Sequence, residues 1–115
     1  MTIQNWREQL RRGGLELAIL STIASAPRYG LEIIRHLEEA TDLGVTEGTI
    51  YPILARLAKD GALRAEWTSD EGPHPRKYYR LTDKGRSVLD TMLLEWEEFN
   101  ESIGRLVRAA RGGRK

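Results

Sequence analysis

Apolar residues recur at intervals of three and four along four stretches of this chain and at intervals of two along two others. The first helical stretch runs from Thr2, at an N-cap position, to Ala26. Ile3, Trp6, Leu10, Leu17, Leu20 and Ala24 share one stripe, Gly13 stands where the stripe misses a residue, and Pro27 stops it. The Gly13-Gly14 pair predicts a break or bend, with a short leading helix before it and a core helix over "LELAILSTIASA" after it. Beyond the turn "PRYG", the segment "LEIIRHLEEAT" sets Leu31, Ile34 and Leu37 along one side of a second helix that Gly44 closes. Thr46 caps a third helix, with Val45 placed to pack on Ile50 as a hydrophobic staple. It ends at "KDG", where Gly61 supplies a left-handed residue.

The period then falls to two. "LRAEWT" alternates Leu63, Ala65 and Trp67 with Arg64, Glu66 and Thr68, and "RKYYRL" sets Lys77, Tyr79 and Leu81 against Arg76, Tyr78 and Arg80. The intervening "SDEGPHP" reads as the exposed loop of a β-hairpin. A last helix begins after a second N-cap, Thr82, and runs to about Val107. Its residues Leu89, Met92, Trp96, Phe99, Ile103 and Leu106 are spaced 3, 4, 3, 4, 3, with Ala110 continuing the series. That is a heptad seam, and a lone helix with such a seam calls for a partner. The expected fold is mainly α with a small β-hairpin: a winged helix-turn-helix over 1–81 including the N-terminal helix, a C-terminal dimerisation helix over 82–111 and a frayed tail over 112–115. The seam, with Trp6 and Leu10 of the leading helix, is the expected dimer interface.

The third helix, the recognition helix of such a fold, contains "TEGTIYPILARL". Glycine costs about 1 kcal/mol and an interior proline about 3 relative to alanine in a helix, so Gly48 and Pro52 make a poor first two turns. At 100° per residue, Ile50, Ile53, Leu54 and Leu57 face inward, while Gly48, Tyr51, Pro52, Ala55 and Lys59 lie opposite, flanked by Glu47 and Arg56. A shaved face lets a helix lie deep in a major groove, where small and apolar groups meet thymine methyls. A tight packing junction around Gly48 and Pro52 is the plainer explanation. The expected DNA-facing residues are Thr46, Glu47, Gly48, Thr49, Tyr51, Pro52, Arg56 and Lys59 on the helix, joined by Arg76 and Lys77 on the wing, where cations meet phosphates. Tyr79, alternating with Leu81, is expected to pack on the core.

Composition narrows the rest. One domain fits 115 residues, and 40% apolar with 30% charged residues is ordinary for a globular chain. Cysteine is absent, which excludes disulfides and thiolate metal sites. The polar start "MTIQNWREQL" is unlike a signal peptide, and no apolar run is long enough for a membrane span, so a cytoplasmic protein without membrane contact is expected. The 18 basic and 17 acidic side chains nearly cancel, but Arg7, Arg11 and Arg12, then Arg76, Lys77 and Arg80, then Arg105, Arg108, Arg111, Arg114 and Lys115 form basic clusters. His36 and His74 have no nucleophile or metal-ligand pattern near them, and Glu95, Glu97, Glu98 and Glu101 read as a solvated helix face. No catalytic residue, metal or cofactor is expected.

"LELAILSTIASAPRYGLEIIRHLE", "TEGTIYPILARLAKDGAL" and "RKYYRLTDKGR" resemble, in order, signature segments of the PadR family of bacterial transcriptional regulators, over roughly residues 13 to 90. The resemblance implies a homodimeric repressor with a winged helix for double-stranded DNA bearing a palindromic operator, and a short C-terminal region like that of the small subfamily. Small drug-responsive members place a tryptophan where this chain has Trp96, lining an aromatic-binding pore between subunits. Trp96 is thus either a ligand-binding residue for a small aromatic compound or a filler of the dimer core with Trp6 and Phe99. The function expected is a ligand-released, sequence-specific DNA-binding repressor, with a winged-helix protein-interaction module lacking a DNA site as the alternative.

Overall fold

A computed structural model describes residues 1–68 and 75–113. The elements are α1 (Ile3–Ile23), β1 (Arg28–Tyr29), α2 (Gly30–Ala40), α3 (Glu47–Lys59), β2 (Leu63–Thr68), β3 (Arg76–Leu81) and α4 (Asp83–Gly112). Three helices, a wing and a long final helix therefore follow in the expected order. Most of the hairpin loop lies outside the described residues, His74 included.

Each helix start and stop has a local cause. The Thr2 hydroxyl accepts the Asn5 amide at 3.1 Å and opens α1. The expected break at Gly13-Gly14 does not occur: α1 is one uninterrupted helix. Two glycines cost it about 2 kcal/mol, which the burial of Ile19, Leu20 and Ile23 in the following turns offsets. In α2 the core residues are Ile33, Ile34 and Leu37, whereas Leu31, expected inside, is exposed. The end of α2 also comes sooner than Gly44. There the Thr41 amide and hydroxyl both donate to the Leu37 carbonyl, at 2.9 and 2.7 Å, and Gly44 (φ +64°) serves only the connection onward. Thr46 does sit at the N-cap of α3, but its hydroxyl caps no amide and instead lies 3.3 Å from the Thr49 hydroxyl. Val45 and Ile50 are both buried in one cluster, as a staple requires. Gly61 (φ +84°) ends α3: its amide donates to Ala58 and the Ala62 amide to Leu57, the Schellman pattern.

The hairpin is part of a three-stranded antiparallel sheet in the order β1-β3-β2. Two-residue β1, read from sequence as a turn, pairs Arg28 with Tyr79 and Tyr29 with Tyr78. Two residues are too few for any alternation to show. The β2–β3 register, Leu63 with Leu81 through Thr68 with Arg76, puts Leu63, Ala65 and Tyr79 on the core side. Trp67, on the same side, has run beyond the core and is 67% exposed.

Ile19, Leu20, Ile33, Ile50, Leu54 and Leu89 are the largest fully buried side chains, so all four helices meet in one core. Leu89 is 1% exposed and Met92 packs against the same cluster. Both were expected in an intermolecular seam; the first turns of α4 satisfy them inside the monomer. From Trp96 onward the seam is bare, with Phe99 59% and Leu106 69% exposed. The radius of gyration, 17.0 Å against about 13 Å for a compact chain of this size, reflects that projection, as does the 62 Å long axis. Helix α4 also outruns the expected Val107, remaining helical to Gly112.

A junction joins α3 to α4. The Asp60 carbonyl accepts from Lys84 Nζ at 2.8 Å, the Gly61 carbonyl from the Thr82 hydroxyl at 2.5 Å, and the Ala62 carbonyl from the Thr82 amide at 3.1 Å. The Thr82 hydroxyl also accepts the Gly85 amide and so caps α4. Helix and strand approach so closely that a Cβ at Gly85 would collide with the Ala62 carbonyl oxygen. Gly85→Ala should therefore cost at least 2 kcal/mol, roughly the upper range for overpacking. Urea unfolding should show a lower midpoint with an unchanged slope.

Candidate nucleic-acid interface

Helix α3 buries Ile50, Leu54 and Leu57 and turns Gly48, Pro52, Ala55 and Lys59 to solvent. Pro52 lacks the amide that would bond the Gly48 carbonyl, which therefore misses its usual helical donor. A Cβ at Gly48 would meet nothing closer than the Thr46 hydroxyl at 3.9 Å. Among the described residues, none packs closely enough on Gly48 to require a glycine there. Thr46, Glu47 and Thr49 are likewise exposed at the first turn.

Tyr51 departs from the outward row in which the helical projection places it. Its ring lies against Gly30, where a Cβ would stand 2.5–2.6 Å from ring atoms, and the residue keeps 39% of its exposure. Burial, and after it the Glu47 carboxylate, raises the Tyr51 phenol above its ordinary value. Tyr79, 4% exposed as expected of a core residue, is also raised, by burial first and then by Tyr51. Both hydroxyls therefore stay protonated and able to donate at neutral pH.

Two grooves flank the bare face. The wing-side groove, about 660 Å³, is bordered by Tyr29, Gly30, Arg35, Tyr51, Trp67 and Lys77 among others. Its two wing cations lie against aromatic rings: Arg76 Cζ lies 4.6 Å from the Tyr29 centroid, and Lys77 Nζ lies 5.7 Å from Trp67 and 5.8 Å from Tyr79. Tyr29 in turn meets Tyr78 edge to face at 5.4 Å. The second groove runs between α3 and the leading half of α1, with Arg11, Arg12, Gly48, Pro52 and Arg56 on its walls. Arg56 is not free there. It pairs with Glu16 at 3.0 Å, and that hydrogen bond, ahead of the charge itself, raises its pKa.

The structure thus brings Tyr51, Arg76 and Lys77 together on one side of α3, with Arg56 on the other and Lys59 toward the far end. Sequence reasoning missed Tyr29, Arg35 and Trp67 as neighbours of this face. Tyr29 sits in a strand too short to read, and Arg35 lies among Glu32, Glu38 and Glu39 at helical spacing, which looks like a solvated face. His36 is exposed on α2, and no cluster of potential metal ligands occurs among the described residues.

Residues 19–91 match the Transcriptional regulator PadR-like family. The chain belongs to the PadR family of transcriptional regulators. It is 42% identical to a PadR-like transcription factor from Bacteroides fragilis, with a TM-score of 0.74, covering 89% of this chain and 98% of that one. A PadR-like transcriptional regulator from Bacillus cereus superposes with a TM-score of 0.78 at 34% identity, covering 86% and 96%. Transcriptional regulator Rv3488 of Mycobacterium tuberculosis is 30% identical over 105 residues, 91% of this chain and 90% of its own length. As a PadR regulator the chain is not an enzyme, and its work is regulation through DNA. Among the described residues no helix is long and apolar enough to cross a membrane.

Proposed function

We propose that this PadR regulator is a homodimeric repressor that binds a palindromic operator in double-stranded DNA in the cytoplasm and is released by a small aromatic ligand. The observation that carries the DNA reading is the open face of Gly48, Pro52 and Ala55 between two flanks bearing cations. An α-helix with its side chains is about 10–12 Å across and the major groove about 12 Å wide. A helix shaved on one face enters far enough for its flanks to meet the phosphates. The position of Tyr51 at the edge of that face, with a protonated hydroxyl, supports a contact to a base edge, and that of Lys77 in the wing-side groove supports one to the backbone. Lys77→Gln should weaken operator and random duplexes alike and reduce the salt slope by about 0.9 for each phosphate that it no longer neutralises. Tyr51→Phe should shift preference between operators by roughly 1–3 kcal/mol. Gel shifts over a salt series test both, and absence of salt-sensitive duplex binding would favour a protein-interaction module.

Dimerisation is supported by the bare half of α4. Trp96, Phe99, Ile103 and Leu106 are exposed there, as are Trp6 and Leu10 on the leading half of α1. Burying such side chains is worth about 1.5–3 kcal/mol each. Phe99→Glu with Ile103→Glu should yield a folded monomer in sedimentation, because neither side chain belongs to the monomer core.

The ligand reading is supported by Trp96. It borders a largely apolar groove of about 510 Å³ with Leu10, Leu17, Ala18 and Leu43. A flat compound there would act at the subunit boundary and alter the spacing of two recognition helices that must lie about 34 Å apart. Planar aromatics should quench Trp fluorescence and release operator DNA, and Trp96→Ala should abolish both effects. Quenching without release would make Trp96 a packing residue.

A further inference from the structure

The wing-side groove holds two residues not yet given a part in DNA binding, Arg35 and Trp67. Arg35 is exposed on α2 with Glu32 three residues before it and Glu38 and Glu39 three and four after, the spacings at which helical ion pairs form. Its side chain forms no ion pair or hydrogen bond with any described residue. It borders the groove instead, as does Lys77 of the wing. Trp67 stands opposite Lys77 in the β2–β3 register, on the core side of the sheet but past the end of the core. Its indole is left in water beside an ammonium that it shares with Tyr79. No carboxylate is among the described residues that border this groove.

We propose that this groove clasps one stretch of the DNA sugar-phosphate backbone, with Arg35 of α2 and Lys77 of the wing donating to phosphate oxygens and the Trp67 ring carrying a deoxyribose. This rests on the DNA reading above and names the part of the duplex that the groove takes. The groove meets α3 at Tyr51 and at Ala55, the wing-side edge of its bare face, and does not take in Gly48 or Pro52. When a helix fills a major groove, its own face meets base edges and its flanks meet the backbone walls. A backbone presents phosphates that suit two cations and sugars that suit an apolar ring, in alternation. The cation–π contact to Trp67 holds the Lys77 ammonium in place before DNA arrives, so little side-chain freedom is lost on binding.

Fluorescence anisotropy of the full chain with two labelled duplexes, its own upstream region and a random sequence, across a salt series, tests this. Arg35→Gln should weaken both duplexes by the same factor and lower the salt slope by about 0.9 for each phosphate left without its cation. Trp67→Ala should weaken both several-fold while leaving the slope unchanged, because no charge is removed, and Trp67→Phe should recover most of the affinity. Arg86→Gln, on α4 and paired with Asp90, should match the unaltered chain. Both Arg35 and Trp67 are exposed, so thermal midpoints should hold and confirm that the variants are folded. If the unaltered chain binds neither duplex, the DNA reading falls and the clasp with it. If it binds both and Arg35→Gln or Trp67→Ala leaves affinity and slope as they were, the clasp alone is overturned.

Discussion

Three consecutive carbonyls, those of Asp60, Gly61 and Ala62, are held by Lys84 and Thr82 at the start of the long helix. The carbonyl of Asp60, the C-cap of α3, needs a partner from outside the helix, and Lys84 of α4 supplies it, while Thr82, the N-cap of α4, holds the two carbonyls that follow. The same threonine caps that helix through the Gly85 amide. One small cluster thereby ends α3, starts β2 and starts α4, and the absence of a side chain at Gly85 lets them meet. At this point hydrogen bonds tie the end of the helix proposed to read DNA to the start of the helix proposed to dimerise.

Helix α4 has a divided allegiance. Its first turns sink Leu89 into the shared core and rest Met92 against it, Trp96 borders the domain beside Leu17, Ala18 and Leu43, and Phe99, Ile103 and Leu106 beyond it are exposed. Its anchored part fixes direction and its projecting part supplies reach. Helix α1 is built in the same way but in the opposite sense, with an exposed apolar leading half and a buried trailing one. The exposed halves of these two helices carry most of the large apolar side chains left in water among the described residues.

Much of this was legible in the sequence because period and punctuation agreed. The Thr2 and Thr82 caps, the Gly61 stop and the β2–β3 alternation all arise from short-range chemistry, which a string of residues displays directly. What was not legible depended on distant partners. The heptad seam gave no sign that its first two members were already occupied, because spacing shows that a face is apolar and not what covers it. Tyr51 looked like an outward side chain in a helical projection, and only the place of Gly30 opposite it shows where the ring goes. At Gly13-Gly14 local propensity pointed to a break and the packing of the following turns prevailed. Arg35 and Trp67 carried no signal at all, since an arginine among glutamates and a tryptophan in an alternating strand are both ordinary until the groove between them is seen.

Gly48 has a consequence for how such a protein changes over time. The space around it is empty within the chain, and Pro52 and Ala55 are exposed beside it. New side chains could therefore be tried there with almost no penalty to folding. At Gly48 the first of them, alanine, would even favour the helix by about 1 kcal/mol. The face that meets the outside world is thus free of obligations to the core, and its vocabulary can drift while the grammar of caps, junction and core stays fixed. Retaining glycine and proline where the fold would accept better helix formers means that stability is forgone at a place where the described residues give no internal reason to forgo it.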